Sequence, residues 1–314
     1  MNDAVKVVFI IGWVRGGSTL LDVMLGELDG FFSAGEVRYI WDRGLQRGWM
    51  CGCGKPLPTC EVWTSVIRDA FGVAPDEVPS HQIAQLHLEL VRSKRLPKLL
   101  KQTPSSGYEW KALDDYVSRL GALYRSIGKT SGANVVIDSS KFAQDAAITR
   151  LVPGIDAYFI HIVRDPRAVA YSNLRHKTSQ PDPNEPVEMA KWSPRQSATR
   201  WTRFHLTASA VRARHDSAKT MILRYEDLVR SPQTTIETIA AMVEEPVEGF
   251  KMPDASSIEL KGNHTVWGNP ARFKRGTVAL RVDDEWERKL SVKDRRLVTA
   301  LTFPLMKHYG YSIR

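Results

Sequence analysis

Apolar and mostly β-branched residues run without a break from Val5 to Ile11, the pattern of a strand covered on both faces of a parallel sheet. After a turn from Gly12 to Gly17, the residues Leu20, Leu21, Met24, Leu25 and Leu28 recur at helical spacing, which predicts strand, tight turn, helix. The strand pattern returns at Val135 to Ile137, closed by Asp138, at Tyr158 to Val163, closed by Arg164, and at Thr220 to Leu223. Ala143 to Leu151 reads as a helix stopped by Pro153 and Gly154, Pro232 to Met242 as another, and Ser291 to Tyr309 as an amphipathic one. Strands alternating with helices predict an α/β fold with a central parallel sheet sandwiched by helices.

Residues 36 to 130 break this alternation. Their pattern is mostly helical, punctuated at Pro56, Pro58, Pro75, Pro79, Pro97 and Pro104, with Trp110, Leu113, Val117, Leu120, Tyr124 and Ile127 along one stripe. They are read as a helical insertion, from about residue 40 to 130, that shapes a pocket inside a single domain spanning 1–314. The stretch 178 to 195 is rich in Pro, Asp, Asn and Ser and reads as a mobile loop placed to act as a lid.

A net charge of +9 makes the surface attract anions, and charge alone does not choose between nucleic acid, membrane surface and a small charged ligand. No basic run, zinc-finger spacing or RNA-binding signature is present, so no nucleic-acid partner is expected. The apolar run from Val5 to Val14 is too short to span a bilayer and lacks a secretory cleavage pattern, so no membrane span and a cytoplasmic location are expected. The three cysteines, Cys51, Cys53 and Cys60, fall in one stretch, CGCGKPLPTC. Zinc with a fourth ligand from elsewhere, a disulfide within the group, and three reduced thiols all remain open.

The strongest local signal is GWVRGGSTLL, Gly12 to Leu21, between the first strand and the first helix. Glycines let successive N–H groups and the helix N-terminus converge on one anion, so a phosphate belongs there. Against the triphosphate-binding pattern G-x-x-x-x-G-K-[ST], Ser18 stands where the lysine should be, followed by Thr19. That missing lysine argues against the alternative reading, a P-loop kinase or nucleoside-triphosphatase with Asp138 holding magnesium. The loop carries Arg15 instead, a guanidinium able to stabilise charge developing on a bridging oxygen.

Here the chain resembles the sulfotransferases that use 3′-phosphoadenosine 5′-phosphosulfate (PAPS), whose 5′-phosphosulfate loop reads [KR]-S-G-[ST]-[ST]-L. Arg15-Gly16-Gly17-Ser18-Thr19-Leu20 departs from it only in Gly16. Arg164, at a strand end, and Ser172, eight residues on, resemble the family's 3′-phosphate pair, and Tyr225 in RYEDL resembles the tyrosine beside the adenine. Phe273-Lys274-Arg275-Gly276, with Trp286 downstream, is similar to the family's basic loop over the 3′-phosphate, with the order of Lys274 and Arg275 exchanged. The resemblance implies a P-loop NTPase-like three-layer fold and PAPS as co-substrate, with a small-molecule or glycan hydroxyl as acceptor. It spans the strand-and-loop framework and fades across residues 40 to 130.

Sulfuryl transfer needs in-line approach of the acceptor oxygen, positive charge on the sulfuryl oxygens and a base for the acceptor proton, and no metal in principle. The histidine that the cytosolic branch of the family uses is absent, since Asp138-Ser139-Ser140-Lys141 occupies that segment. Glu36, in Gly35-Glu36-Val37-Arg38, follows the first helix as a catalytic glutamate does in the tyrosylprotein and heparan-type branch, and is the candidate base, with Arg38 to orient it. The plain alternative for Glu36 is a carboxylate satisfying backbone donors at a helix start. Asp138 is the rival base, and Lys141 resembles the lysine that neutralises the transferring group. His161 reads as a core histidine, and His264 receives no role.

Overall fold

The computed structural model describes residues 4–175, 178–182, 185–188 and 191–313. Strand β1 (Val5–Gly12) runs into the glycine turn and then helix α1 (Ser18–Leu25). The helix stops at Leu25 rather than Leu28, because Gly26 caps it by donating to the Asp22 carbonyl. The chain then turns into a strand the periodicity did not predict, β2 (Phe31–Gly35). A 3-10 turn (Val37–Tyr39) and a π-helix (Ile40–Gln46) follow.

Four helices come next: α2 (Glu61–Phe71), α3 (Ser80–Leu90), α4 (Leu96–Lys101) and the long α5 (Lys111–Ser131). Strand β3 (Val135–Lys141) runs on past Asp138 to Lys141. Then come α6 (Ala143–Thr149), β4 (Ile155–Val163) and α7 (Pro166–Leu174). The expected loop over 178–195 instead carries an antiparallel pair, β5 (Thr178–Asp182) and β6 (Glu185–Glu188), while 183, 184, 189 and 190 lie outside the described residues.

Helix α8 (Pro194–Arg212) was also not expected from the sequence. A reciprocal capping box between Ser193 and Gln196 starts it, and Ala198, Trp201, His205, Ala208 and Val211 form its buried face. Strand β7 (Thr220–Arg224), α9 (Tyr225–Arg230) and α10 (Pro232–Met242) lead to the hairpin β8 (Ser257–Leu260) and β9 (Gly276–Ala279). Helices α11 (Glu285–Lys289) and α12 (Val292–His308) close the chain.

The main sheet has the order β2-β3-β1-β4-β7, and every pairing in it is parallel. Alternation along β1 divides the core: Val7, Phe9 and Ile11 pack with α2, α5 and α6, whereas Val8 and Ile10 pack with α1 and α10. The protein is therefore α/β, with helices on both faces of a parallel sheet.

A buried polar bridge ties α1 to two strands. The Asp22 carboxylate accepts from Ser33 Oγ on β2 and Ser139 Oγ on β3, both at 2.6 Å. Burial pushes Asp22 up to about 7, and the two serine hydrogen bonds only partly oppose this. The folded state thus holds this proton more tightly than the unfolded chain between the ordinary value of 3.8 and about 7. Asp22's stabilisation is full below that window and is lost as pH rises through it, the direction that Asp138, pushed up to about 6 by burial, also follows. Asp22→Asn keeps a partner for each serine and removes the larger titration. Its urea midpoint should match wild type at pH 5 and exceed it at pH 8; a wild-type advantage at pH 8 refutes this account.

Candidate active site

At the C-terminal ends of the parallel strands lies a cavity of about 460 Å³, the position where open α/β sheets bind ligands. Its wall includes Arg15, Gly17, Ser18, Thr19, Leu20, Glu36, Lys141, Arg164, Ser172 and Tyr225. These ten residues come from six separate stretches of the chain. A larger cavity of about 930 Å³, against α11 and α12, is lined by none of these groups.

The glycine turn has the shape an anion cradle needs. Arg15 (φ 67°) and Gly17 (φ 95°) both sit in the left-handed region. A Cβ on Gly17 would fall 2.3 Å from the Tyr225 ring, so glycine is what lets the turn lie against that tyrosine. Gly16 does not line the cavity; its N–H closes the turn on the Trp13 carbonyl at 2.9 Å.

Arg164 sits at the tip of β4 because parallel pairing with β1 and β7 carries the strand to the turn. Its guanidinium donates to the Arg15 carbonyl at 2.8 Å and to Asp283 at 2.9 Å, and lies over the Tyr225 ring at 4.5 Å. Asp283 also accepts from Arg175 at 2.9 Å. Burial, with Arg175 and Arg164 close by, holds the Arg15 guanidinium below its ordinary value. Ser172, in the last turn of α7, is buried, and its hydroxyl has no hydrogen-bond partner among the described residues. This buried hydroxyl lines the same cavity as the Arg15 and Arg164 guanidiniums, a set of donors suited to an anion.

Buried Glu36 and partly buried Lys141 form an ion pair across the ends of β2 and β3. Gly35 (φ 75°) turns the chain at the end of β2, and Lys141 itself adopts φ 73°. Arg38 takes no part in this pair. It donates to Asp145 at 2.5 Å, which also meets His87 Nε2 at 2.6 Å. Burial opposes charge on Asp145, yet Arg38 and His87 hold it below its ordinary value. The rival base Asp138 lies outside the cavity: it accepts from Tyr124 Oη at 2.6 Å and from the Ser140 N–H at 2.8 Å. His161 is buried in β4 against His205 at 2.8 Å, a core position.

The 274–276 segment, expected to close over the 3′-phosphate, does not line this cavity. Gly276 is paired with Leu260 in the β8–β9 hairpin, Lys274 is exposed, and Arg275 donates to the Gly52 carbonyl at 2.6 Å. The loop just before it lines the cavity instead, through Trp267, Gly268, Asn269 and Ala271. Val266 N–H donates to the Ala34 carbonyl at 2.9 Å, and Glu36 N–H to the Trp267 carbonyl at 3.4 Å, so this loop lies along the outer edge of β2.

Sequence reasoning missed the aromatic wall. Arg43 lies 3.7 Å from the centre of the Tyr39 ring, 4.6 Å from Trp267 and 5.1 Å from Trp49, and all four residues line the cavity. Trp192 lines it too and stacks on Trp13. The density of aromatic and arginine residues between Glu36 and Trp49 was the available signal.

The sequence profile of the sulfotransferase family matches residues 7–249, so the chain belongs to that family of transferase enzymes. Among solved structures it is similar to the sulfotransferase domain from the curacin biosynthetic pathway, at 16% identity and TM-score 0.53 with 99% of each chain covered. It is also similar to the sulfotransferase domain of the Synechococcus PCC 7002 olefin synthase, at 16% identity and TM-score 0.51, covering 99% of this chain and 97% of that one. At that identity the likeness establishes the shared P-loop NTPase-like fold. No curated protein matches the chain. No helix among the described residues is long and apolar enough to cross a membrane.

Proposed function

We propose that this enzyme transfers the sulfuryl group of PAPS to a hydroxyl of a small molecule or glycan and releases adenosine 3′,5′-bisphosphate. One observation carries the reading: the glycine turn, the Arg164–Ser172 pair and the Glu36–Lys141 pair face a single cavity. The turn and the N-terminus of α1 hold the 5′-phosphosulfate, Arg164 and Ser172 hold the 3′-phosphate, and Tyr225 flanks the adenine. The 40–130 insertion supplies Arg43 and Trp49 to the wall, which fits its expected part in shaping the acceptor pocket.

Glu36 takes the proton of the acceptor hydroxyl as its oxygen bonds to sulfur. The bond from sulfur to the phosphate oxygen breaks, and that electron pair leaves with the adenosine bisphosphate. Lys141 and Arg15 offset the charge that grows on the sulfuryl and bridging oxygens. No step calls on a divalent cation. Tyr39, Trp49 and Trp267 offer flat apolar faces next to Glu36, suited to a sugar ring or an apolar hydroxylated metabolite.

The test is incubation of the enzyme with PAPS and a metabolite extract, without added divalent metal, followed by mass spectrometry. The expected result is a product heavier by one sulfuryl group and an equal amount of adenosine 3′,5′-bisphosphate. No mass gain together with no calorimetric binding of adenosine 3′,5′-bisphosphate overturns the reading. In the same titration Ser172→Ala should weaken binding about tenfold, the worth of one charge-assisted hydrogen bond; an unchanged Kd places the 3′-phosphate elsewhere.

A further inference from the structure

We infer that Cys51, Cys53, Cys60 and His264 form a structural zinc site that fastens the loop beside Glu36 to the start of the helical insertion. One donor atom from each of the four side chains lies within 4.8 Å of all the others. Cys53 Sγ is 3.7 Å from Cys60 Sγ, and His264 Nδ1 is 3.3 Å from Cys60 Sγ and 3.8 Å from Cys51 Sγ. Tetrahedral zinc with ordinary bond lengths sets its sulfurs about 3.8 Å apart and sulfur and nitrogen about 3.6 Å apart. These three separations fall within about 0.3 Å of those spacings, and the remaining ones lie within 4.8 Å.

The backbone is built for the cluster. Gly54 N–H donates to the Cys51 carbonyl and Cys51 N–H to the Lys55 carbonyl, both at 2.9 Å, which folds the CGCG stretch into a tight turn. A Cβ on Gly52 would lie 1.9 Å from Asn263 Oδ1, so only glycine lets this turn press against the segment carrying His264. Trp63 Nε1 donates to the His264 carbonyl at 2.6 Å and fixes the histidine's backbone. Cys51 and Cys60 are buried and His264 is half-buried, which leaves Cys53 as the exposed side of the cluster.

Three thiolates and a neutral imidazole around Zn²⁺ leave one net negative charge. The side chains that neutralise it are present: Arg272 donates to the Met50 carbonyl at 2.7 Å and Arg275 to the Gly52 carbonyl at 2.6 Å, so both guanidiniums flank the turn. This assigns Arg275 a task in place of the phosphate contact expected from its motif. A sulfur-rich tetrahedral donor set selects zinc over magnesium or calcium. A Cys53–Cys60 disulfide would use two of the four donors and leave Cys51 and His264 without a function.

The site's role follows from where His264 leads. Two residues on, Val266 begins the hydrogen bonding to β2, and Trp267 and Gly268 form part of the cavity wall. Zinc therefore fixes that wall without touching the transferred group, and the inference stands whichever donor the enzyme uses.

The full chain, purified anaerobically from zinc-supplemented cells without chelators, should hold about one zinc per molecule by plasma mass spectrometry. Cobalt titration of the zinc-stripped chain should give tetrahedral d–d bands and a thiolate charge-transfer band, and His264→Ala should lower zinc affinity by more than about tenfold. A folded wild-type chain with less than about a tenth of an equivalent of zinc and no charge-transfer band on cobalt addition overturns the proposal. So does an intact mass showing a disulfide in the anaerobic protein. The wild-type cobalt titration decides the matter even if the His264 variant fails to fold.

Discussion

Glu36→Gln should lower kcat for sulfuryl transfer by about 10² to 10⁴-fold while leaving the Kd for adenosine 3′,5′-bisphosphate within about threefold of wild type. Glutamine matches the carboxylate in size and still meets Lys141 through its amide oxygen, so the wall keeps its shape. It cannot take a proton. Glu36 holds its place through the end of β2, where Gly35 turns the chain and the Trp267 carbonyl accepts the Glu36 N–H, and these backbone contacts survive the substitution. Single-turnover kinetics separates the chemical step from product release. A chemical step within threefold of wild type shows that the proton leaves by another route, with the fold and family assignment intact.

The second large effect is expected at Arg164. Arg164→Ala removes the guanidinium that spans the Arg15 carbonyl, Asp283 and the Tyr225 ring, leaving Asp283 to Arg175 alone. Truncating one partner of a buried, hydrogen-bonded charge pair costs about 2 to 5 kcal/mol. The Kd for adenosine 3′,5′-bisphosphate should rise about 30-fold or more. Arg164→Lys should recover little of this, since a lysine offers a single charged point where the site uses a planar fork. A variant that binds the bisphosphate as tightly as wild type excludes Arg164 from the 3′-phosphate subsite. A rise in KM for the acceptor alone would place Arg164 on the other side of the reaction.

Much of this architecture could be read from the chain because strand, turn and helix leave separate local marks. The β1 run and the glycine turn combine β-branched residues, positive-φ positions and a helical repeat between Val5 and Leu25, and all three appear where expected. Strand β2 escaped detection because FFSAG is short, at the edge of the sheet, and alternates poorly. Helix α8 was hidden by a polar composition whose apolar face shows only at three- and four-residue spacing.

At the site, Arg15, Glu36, Lys141, Arg164 and Tyr225 come from strand ends, the turns that follow them and a helix start, which parallel pairing brings together, and Ser172 joins them from the far end of α7. The place of the 274–276 segment was not legible, because a basic-glycine triplet carries no information about the hairpin register that pairs Gly276 with Leu260. His264 could not be assigned from sequence, since the 204 residues separating it from Cys60 are closed only by tertiary packing.

The loop from Thr265 to Trp267 has one further effect, on how molecules of this protein meet one another. A five-residue strand at the rim of a sheet exposes unpaired amides and carbonyls, a ready template for a stranger's backbone. Because Val266 N–H already bonds the Ala34 carbonyl and the Trp267 carbonyl the Glu36 N–H, the end of the strand that leads to the candidate base is covered against a second chain's backbone.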